Sequence, residues 1–427
     1  MLSNTFRHRI KSQLHLQFVL KWLIVAVFVG SLSGSASAVF LLMLDWAKQT
    51  RDQYNWLLFF LPLGGVFVAA GYKYFGGLAS KGNNLIIEEV QNPSRVITFL
   101  MAPLVLFGTI ITHVFGGSAG REGTAVQMGA TIADQFNFLK KFSEEDRKIL
   151  LMCGMAAGFS SLFGTPLAGT VFALEIIVIG RLRYEGLLPV LFSALIANYV
   201  CDLWPIHHTH YQIGEVPSFN LKNIGWVFLA SIFFGFTAMG FSSGMFWLSH
   251  QFKRFIENPL LRPLFGGSIV ALCIYLLGFK YAGLGIPTIV ESFNVQQGLE
   301  VFAVKLILTV LTLSAGFKGG EVTPLFFIGA TLGSALSLFI PLPLGLLAGL
   351  GFVAVFSGAT NAPIACSLMG IELFGGDSAI YIVIACFVAY FFSGHTGIYT
   401  AQIIGSPKHN LISELKGKRL VELMKWK

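Results

Sequence analysis

Residues 120–131 read Gly-Arg-Glu-Gly-Thr-Ala-Val-Gln-Met-Gly-Ala-Thr, and residues 320–331 read Gly-Glu-Val-Thr-Pro-Leu-Phe-Phe-Ile-Gly-Ala-Thr. The two stretches share their first glycine and their closing Gly-Ala-Thr at a spacing of 200 residues (120 to 320). A second pair agrees. Thr165-Pro-Leu-Ala-Gly-Thr-Val-Phe-Ala-Leu-Glu175 resembles Ala362-Pro-Ile-Ala-Cys-Ser-Leu-Met-Gly-Ile-Glu372, with Pro166 and Pro363 each nine residues before a glutamate and 197 residues apart (166 to 363). Two matches at nearly one offset predict two homologous halves, 18–203 and 224–405, joined by a loop over 204–223 and flanked by an N-terminal segment 1–17 and a tail 406–427. Internal repeats with glycine-interrupted apolar segments at corresponding positions mark a secondary-transporter architecture, with substrate held between the halves near the bilayer midplane. Small residues recurring for close helix contact would also produce look-alike segments. They would not produce a shared offset, nor the charges inside the repeated segments.

The surrounding composition says what kind of molecule carries this repeat. Of 427 residues 55% are hydrophobic and 12% charged, with mean hydropathy +0.72, against roughly 25% charged residues in a soluble domain. A water-soluble enzyme is excluded. Apolar runs long enough to cross a bilayer, roughly 20 residues each, follow one another almost end to end and predict an all-α polytopic membrane protein. The 47 glycines and 15 prolines predict re-entrant or broken helices, which are tolerated only where the backbone lines a cavity or packs on protein. The formal net charge of +8 reports topology rather than a nucleic-acid partner. Arg7, Arg9 and Lys11 precede the first apolar run, and Lys408, Lys416, Lys418, Arg419, Lys425 and Lys427 follow the last, which places both ends in the cytoplasm. Lys140, Lys141, Arg147 and Lys148, then Arg181 and Arg183, then Lys253 and Arg254 read as cytoplasmic loops. The first apolar run, Phe18 to Leu44, is too long for a signal-peptide core. Five cysteines without paired spacing imply neither a disulfide framework nor a metal knuckle. His207, His208 and His210 read as a solvated outer loop, because nothing nearby supplies a second shell for a metal. No cofactor is implied, and no nucleophile, base and orienting group stand together at a recognisable spacing.

An ionisable residue at membrane depth costs at least a few kcal/mol, so each is a functional candidate. Arg121 and Glu122 lie inside Gly116-Gly-Ser-Ala-Gly-Arg-Glu-Gly-Thr124, and Lys318 and Glu321 inside Gly316-Phe-Lys-Gly-Gly-Glu-Val-Thr-Pro324. Both are glycine-rich turns running into an apolar helix. A helix starting there points unpaired N–H groups and its positive dipole end at the cavity, which holds an anion without a metal. A carboxylate at that spot is a competing anion; it can take a proton and leave, coupling anion movement to proton movement. Arg121–Glu122 and Lys318–Glu321 as internal structural ion pairs are the alternative. Glu175 and Glu372 close helices after proline-led segments and read as caps or structural pairs. Glu88 and Glu89 can equally hold local packing in place. Tyr399, in Gly397-Ile-Tyr-Thr400, is placed to offer a hydroxyl to an anion, as an interfacial tyrosine also would be.

Gly-Arg-Glu-Gly at 120–123 with its Gln-Met-Gly continuation, Pro-Leu-Ala-Gly at 166–169 and the two-halves arrangement resemble the CLC family of chloride channels and proton-coupled anion exchangers across about 18–405. The resemblance implies a CLC-type fold of two inverted-topology repeats, the external gating glutamate at Glu122, the central-site tyrosine at Tyr399, and a homodimer with one pathway per subunit. The short tail over 406–427 leads to the expectation that the regulatory domains found on many eukaryotic members are absent. The departures are informative. Gly82-Asn-Asn-Leu-Ile replaces the family's Gly-Ser-Gly-Ile-Pro, so Asn83 stands where chloride handlers have the anion-binding serine. Gly320-Glu-Val-Thr-Pro324 replaces Gly-Ile-Phe-Ala-Pro, Thr124 replaces a proline, and the inner proton glutamate of chloride/proton exchangers falls on Ile176. This pattern resembles the fluoride/proton antiporter branch, with Glu321 the natural replacement for the missing inner carboxylate.

Fluoride is small, strongly hydrated and a strong hydrogen-bond acceptor, so its site must replace water with close donors. Asn83 offers an amide, Thr323 a hydroxyl, Tyr399 a phenol, the helix starts at Gly123 and Val322 their backbone amides, and a protonated Glu122 or Glu321 a carboxylic O–H. Charge-assisted bonds of this kind are short and about twice as strong as neutral ones. The expectation is an inner-membrane antiporter exporting fluoride against entering protons. A chloride/proton exchanger or anion channel of the same fold, and a cation/proton antiporter, are the rival readings.

Overall fold

The computed structural model describes residues 4–139 and 142–424, with residues 4–15 and 139 described by backbone alone. The side chains of Arg7, Arg9, Lys11, Lys140, Lys141, Lys425 and Lys427, on which part of the topology expectation rests, lie outside the described residues. The first half runs α1 (Asn4–Gln53), α2 (Leu61–Gly71), α3 (Asn83–Gln91), α4 (Met101–Val114), α5 (Glu122–Leu139), α6 (Glu144–Phe163), α7 (Pro166–Glu175) and α8 (Leu187–Asp202). The second runs α9 (Leu221–Phe255), α10 (Leu261–Leu277), α11 (Ile286–Glu291), α12 (Leu299–Ser314), α13 (Val322–Leu336), α14 (Leu344–Thr360), α15 (Pro363–Phe374) and α16 (Ala379–Phe392). Elements five, six and seven of the halves start at 122 and 322, 144 and 344, and 166 and 363. The offsets of 200, 200 and 197 are those of the sequence matches. A two-residue parallel pairing of β1 (Val178–Ile179) with β2 (Ile403–Ile404) and a short α17 (Leu420–Leu423) complete the chain.

Two stretches of the sequence fold back as helix pairs. Gly164 takes a left-handed conformation (φ 74°) that ends α6, and Pro166 opens α7. Asn361 repeats that conformation (φ 59°) between α14 and Pro363 of α15. An αL residue stops a helix and a proline at the first helical position starts the next, so one apolar run folds back on itself. Helical stretches at Leu16–Gln53, Asn55–Gln91, Tyr184–Asp202 and Leu221–Phe255 are long and apolar enough to cross a bilayer, while most of the others span 10–17 residues. Large apolar side chains such as Phe28, Trp46, Phe67, Phe228 and Phe265 face outward, an area no soluble surface leaves bare.

The halves are fastened to each other reciprocally. Gly120 and Gly320 exchange backbone hydrogen bonds of 2.6 and 2.8 Å in an antiparallel bridge. Glu175, at the end of α7, accepts the N–H groups of Ile364 and Ala365 that open α15, at 3.1 and 2.8 Å. Glu372, in α15, accepts those of Leu167 and Ala168 that open α7, at 2.9 and 2.8 Å. The capping role expected of these glutamates holds, but each caps the other half's helix. Packing follows the same symmetry: a Cβ on Gly129 of α5 would strike the carbonyl of Gly154 in α6, and one on Gly329 of α13 that of Gly351 in α14.

Arg147 departs from expectation. It sits in the first turn of α6, nearly buried, bonding Asp134 at 2.8 and 2.9 Å, Glu89 at 2.9 Å and the Arg95 carbonyl at 2.6 Å. It is the buried tie between α3, α5 and α6, because two carboxylates distant in sequence meet it there. Lys148 pairs with Glu145 at 2.6 Å, and Lys81 with Glu88 at 2.7 Å.

Candidate functional site

The centre of the molecule is where α5 and α13 begin. The turn before α5 is held by the Gly117 N–H on the Thr112 carbonyl (2.8 Å) and by the Ser118 hydroxyl against Thr309 of the other half (2.9 Å). A Cβ at position 320 would stand 2.9, 2.9 and 3.1 Å from the amide nitrogens of Glu122, Gly123 and Arg121. Glycine there leaves the start of α5 uncovered. These N–H groups have no helical partner and carry the positive end of the helix dipole.

Glu122 fills the space. Its side chain is fully buried. Its Oε2 accepts the N–H groups of Arg121 and Thr323, both at 3.0 Å, and its Oε1 accepts the Thr323 hydroxyl. The carboxylate is thus held by the first turns of two helices from opposite halves. The Arg121 guanidinium is only a loose partner, its Nε 3.9 Å from Glu122 Oε1 and without a hydrogen bond. The ion-pair alternative therefore accounts for little of what holds Glu122. Lys318 and Glu321 do not form an ion pair; Lys318 lays its ammonium 4.1 Å over the Tyr72 ring.

Asn83, Gly123 and Glu321 meet on the far side of the α5 start. A Cβ on Gly123 would lie 2.9 Å from Asn83 Nδ2 and 3.6 Å from Glu321 Oε2. Asn83 Oδ1 and Glu321 Oε2 are both buried acceptors without a donor, and such groups are costly unless a proton or polar ligand joins them. Tyr399 is buried, edge-on to Phe172 with ring centroids 6.3 Å apart, and lies within electrostatic range of Glu321 and Glu122. Its segment is pinned by amides: the Asn84 side chain accepts from Ala401 N–H at 2.9 Å, and Gln402 donates to the Ile176 and Thr360 carbonyls at 2.9 Å each. Arg121, Glu122, Gly123, Val322, Thr323, Glu321, Asn83 and Tyr399, from four separated parts of the sequence, gather at one place.

The sequence did not disclose what lies outside Arg121. A cavity of about 300 Å³ runs to Arg121 between Asp45 and Lys48 of α1 and His207 and His208 of the 203–220 loop. His208 leans on Asp202 at 3.2 Å. Burial holds its imidazole below the ordinary pKa, and Asp202 opposes this while Arg121 adds to it. The loop walls an entrance instead of standing free in solvent, and only its charged neighbours 160 residues away in α1 could have signalled that. Among the described residues no group of three or more His, Cys, Asp or Glu side chains is placed to hold a metal ion.

Comparison with known proteins follows the same lines. The sequence profile described as "Voltage gated chloride channel" matches residues 64–394. A "Chloride/fluoride channel protein" of Pseudomonas syringae pv. tomato is 47% identical over 402 residues, covering 92% of this chain and 89% of that one. The H(+)/Cl(-) exchange transporter ClcA of Yersinia pestis is 26% identical, covering 89% and 86%. Among solved structures, a CLC-type fluoride/proton antiporter superposes with a TM-score of 0.87 at 35% identity, over 90% of this chain and 98% of that one.

Proposed function

The chain belongs to the voltage-gated chloride channel (CLC) family, and from that premise we propose that it is a secondary active transporter exporting fluoride in exchange for protons. One observation carries this reading: the Glu122 carboxylate, fully buried, takes its hydrogen bonds from the starts of α5 and α13 together. A monovalent acceptor of similar demand fits the same donors. When Glu122 gains a proton it loses the charge that holds it among them, and fluoride takes its place. Glu122 takes that proton from the outer side. On its return it passes the proton inward toward Glu321 and, again a carboxylate, expels the anion outward, so proton and fluoride cross in opposite directions. Arg121 draws anions at the cavity side. On the other side Glu321, protonated, turns an orphaned acceptor into a donor beside Asn83.

Fluoride over chloride is supported by Thr323, Asn83 and Glu321, hydrogen-bonding groups that suit a small, strongly hydrated ion, and by the two fluoride-named relatives. The chloride/proton exchange of the Yersinia relative is the second reading. A cation/proton antiporter fits poorly, because the seat is lined by donors and a helix start, which repel a cation. The working orientation we infer puts both termini in the cytoplasm of the cell membrane, with segments 18–203 and 224–405 as the two membrane repeats and a homodimer as the assembly.

In liposomes read by fluoride and pH electrodes, Glu122→Gln is expected to lose proton coupling, because the amide keeps the shape and cannot titrate. Undiminished proton-coupled fluoride efflux in that variant would falsify the assignment. In the same assay Glu321→Gln is expected to stop fluoride turnover; if turnover and coupling persist, Glu321 is structural. Chloride efflux equal to fluoride efflux from the wild type would favour the second reading.

A further inference from the structure

Helix α3 brings Asn83 to the seat as its first residue, and with two later residues it holds the turn that carries Tyr399. Asn84 Oδ1 accepts the Ala401 N–H at 2.9 Å, and Gln91 Nε2 donates to the Ala401 carbonyl at 2.9 Å. Both main-chain hydrogen-bonding groups of Ala401, two residues past Tyr399, are thus taken by one helix. Asn84 and Gln91 stand seven residues apart, two turns along the same helix face. The second hydrogen of Gln91 Nε2 goes to the Ile177 carbonyl beyond the end of α7, also at 2.9 Å. Two carbonyls facing one amide fix which way round it sits, because only the nitrogen end donates. Gln91 Oε1 is left buried without a donor, a cost accepted to keep both donations.

Other ties of the turn run elsewhere. The Ile398 N–H bonds the Ala359 carbonyl of α14 at 2.9 Å, and the Thr400 carbonyl accepts the Val421 N–H of the tail at 3.0 Å. The Tyr399 ring stands edge-on to Phe172, which is itself stacked on Phe159 with centroids 4.5 Å apart. Among the hydrogen bonds of the described residues, it is the two to Ala401 that refer this turn to the helix bearing Asn83. The span between the Asn83 amide and the Tyr399 phenol is therefore set through α3. A helix is a stiff spacer, and groups mounted on one hold their separation more closely than groups on loops.

We propose that Asn84 and Gln91 are positioning residues that fix the span between Asn83 and Tyr399 and thereby decide which halide the seat prefers. Held at one width, the span lets a small ion touch donors on both sides, whereas the larger chloride needs the turn to give way. Freeing the turn costs fluoride a donor and gives chloride room. The proposal rests on the fluoride exchange reading and adds to it what sets the selectivity.

The test is the ratio of fluoride to chloride efflux from liposomes at low anion concentration, for the full chain and for Asn84→Ala, Gln91→Met and Asn84→Asp. It is paired with ¹⁹F NMR of the full chain carrying 3-fluorotyrosine, the Tyr399 signal being assigned by its loss in Tyr399→Phe. Asn84→Ala and Gln91→Met are expected to lower the ratio about tenfold, the worth of one hydrogen bond to a charged acceptor, and to shift and broaden the Tyr399 signal. Asn84→Asp keeps an acceptor for Ala401 and repels both halides alike, so the ratio is expected to hold while both fluxes fall. In a Tyr399→Phe background, Asn84→Ala is expected to change the ratio by less than about twofold, because the hydroxyl it positions is gone. Should Asn84→Ala not fold, Gln91→Met carries the same expectation from the other end of α3. Equal loss for both ions, a ratio that falls as far in Asn84→Asp as in Asn84→Ala, or an unmoved Tyr399 signal each overturns the proposal. A wild type without preference for fluoride is a failure of the exchange reading, whereas a wild type with that preference and variants that keep it is a failure of this proposal alone.

Discussion

Thr323 touches Glu122 twice, through its amide and through its hydroxyl, and only the second contact can be removed by substitution. Thr323→Val keeps the shape and the helix start while deleting one donor to a charged acceptor, a bond worth about 1.5–3 kcal/mol. Fluoride turnover in liposomes is expected to fall about tenfold or more, and Thr323→Ser to restore most of it. Equal turnover in Thr323→Val would show that the hydroxyl serves packing alone. The identity of this residue was legible beforehand, because a hydroxyl two residues past an acid, in a glycine-rich turn entering an apolar helix, has little other reason to be there. Its partner was not. Glu122 lies 201 residues away, and no local pattern records a contact at that separation. Arg147 shows the opposite failure: read locally it is one more loop charge, and only the meeting of α3, α5 and α6 reveals its two carboxylates.

Helices α7 and α15 each lack a side-chain cap of their own and borrow a glutamate from the other's far end. The spacing of nine residues from proline to glutamate gave away the cap but not the exchange, since a one-dimensional pattern cannot say whose helix a carboxylate serves. Glu175 is almost wholly buried, whereas the Glu372 cap reaches the surface. Each cap serves one exposed and one buried residue, Ile364 and Ala365 for Glu175, Leu167 and Ala168 for Glu372. An orphaned buried N–H costs about 1–3 kcal/mol, and the space left by Glu372→Ala opens to water that replaces the carboxylate, whereas that left by Glu175→Ala is closed. Thermal unfolding in detergent is expected to show the larger loss for Glu175→Ala; equal losses would mean that burial of the borrowed cap is immaterial.

For the whole chain, the duplicated plan was legible because matching segments kept their offset, and the helix break at Gly164 was not, because it lies inside an apolar run. The inferred orientation makes a direct prediction. With the native cysteines, which form no disulfide, replaced by serine, a cysteine at His207 is expected to react with an impermeant thiol reagent in intact cells. One at Ser413 is expected to react only after permeabilisation. Labelling of both from outside would invert or break the assigned topology. The paired amide bonds between Gly120 and Gly320, one residue ahead of the arginine and acid on which exchange depends, leave the two halves no freedom to part at their common axis. What moves is then no larger than one carboxyl arm, and such a stroke displaces almost no volume against the surrounding lipid. Lateral tension and bilayer thickness accordingly have little leverage on the rate, and the cycle is mechanically insulated from the membrane in which it works.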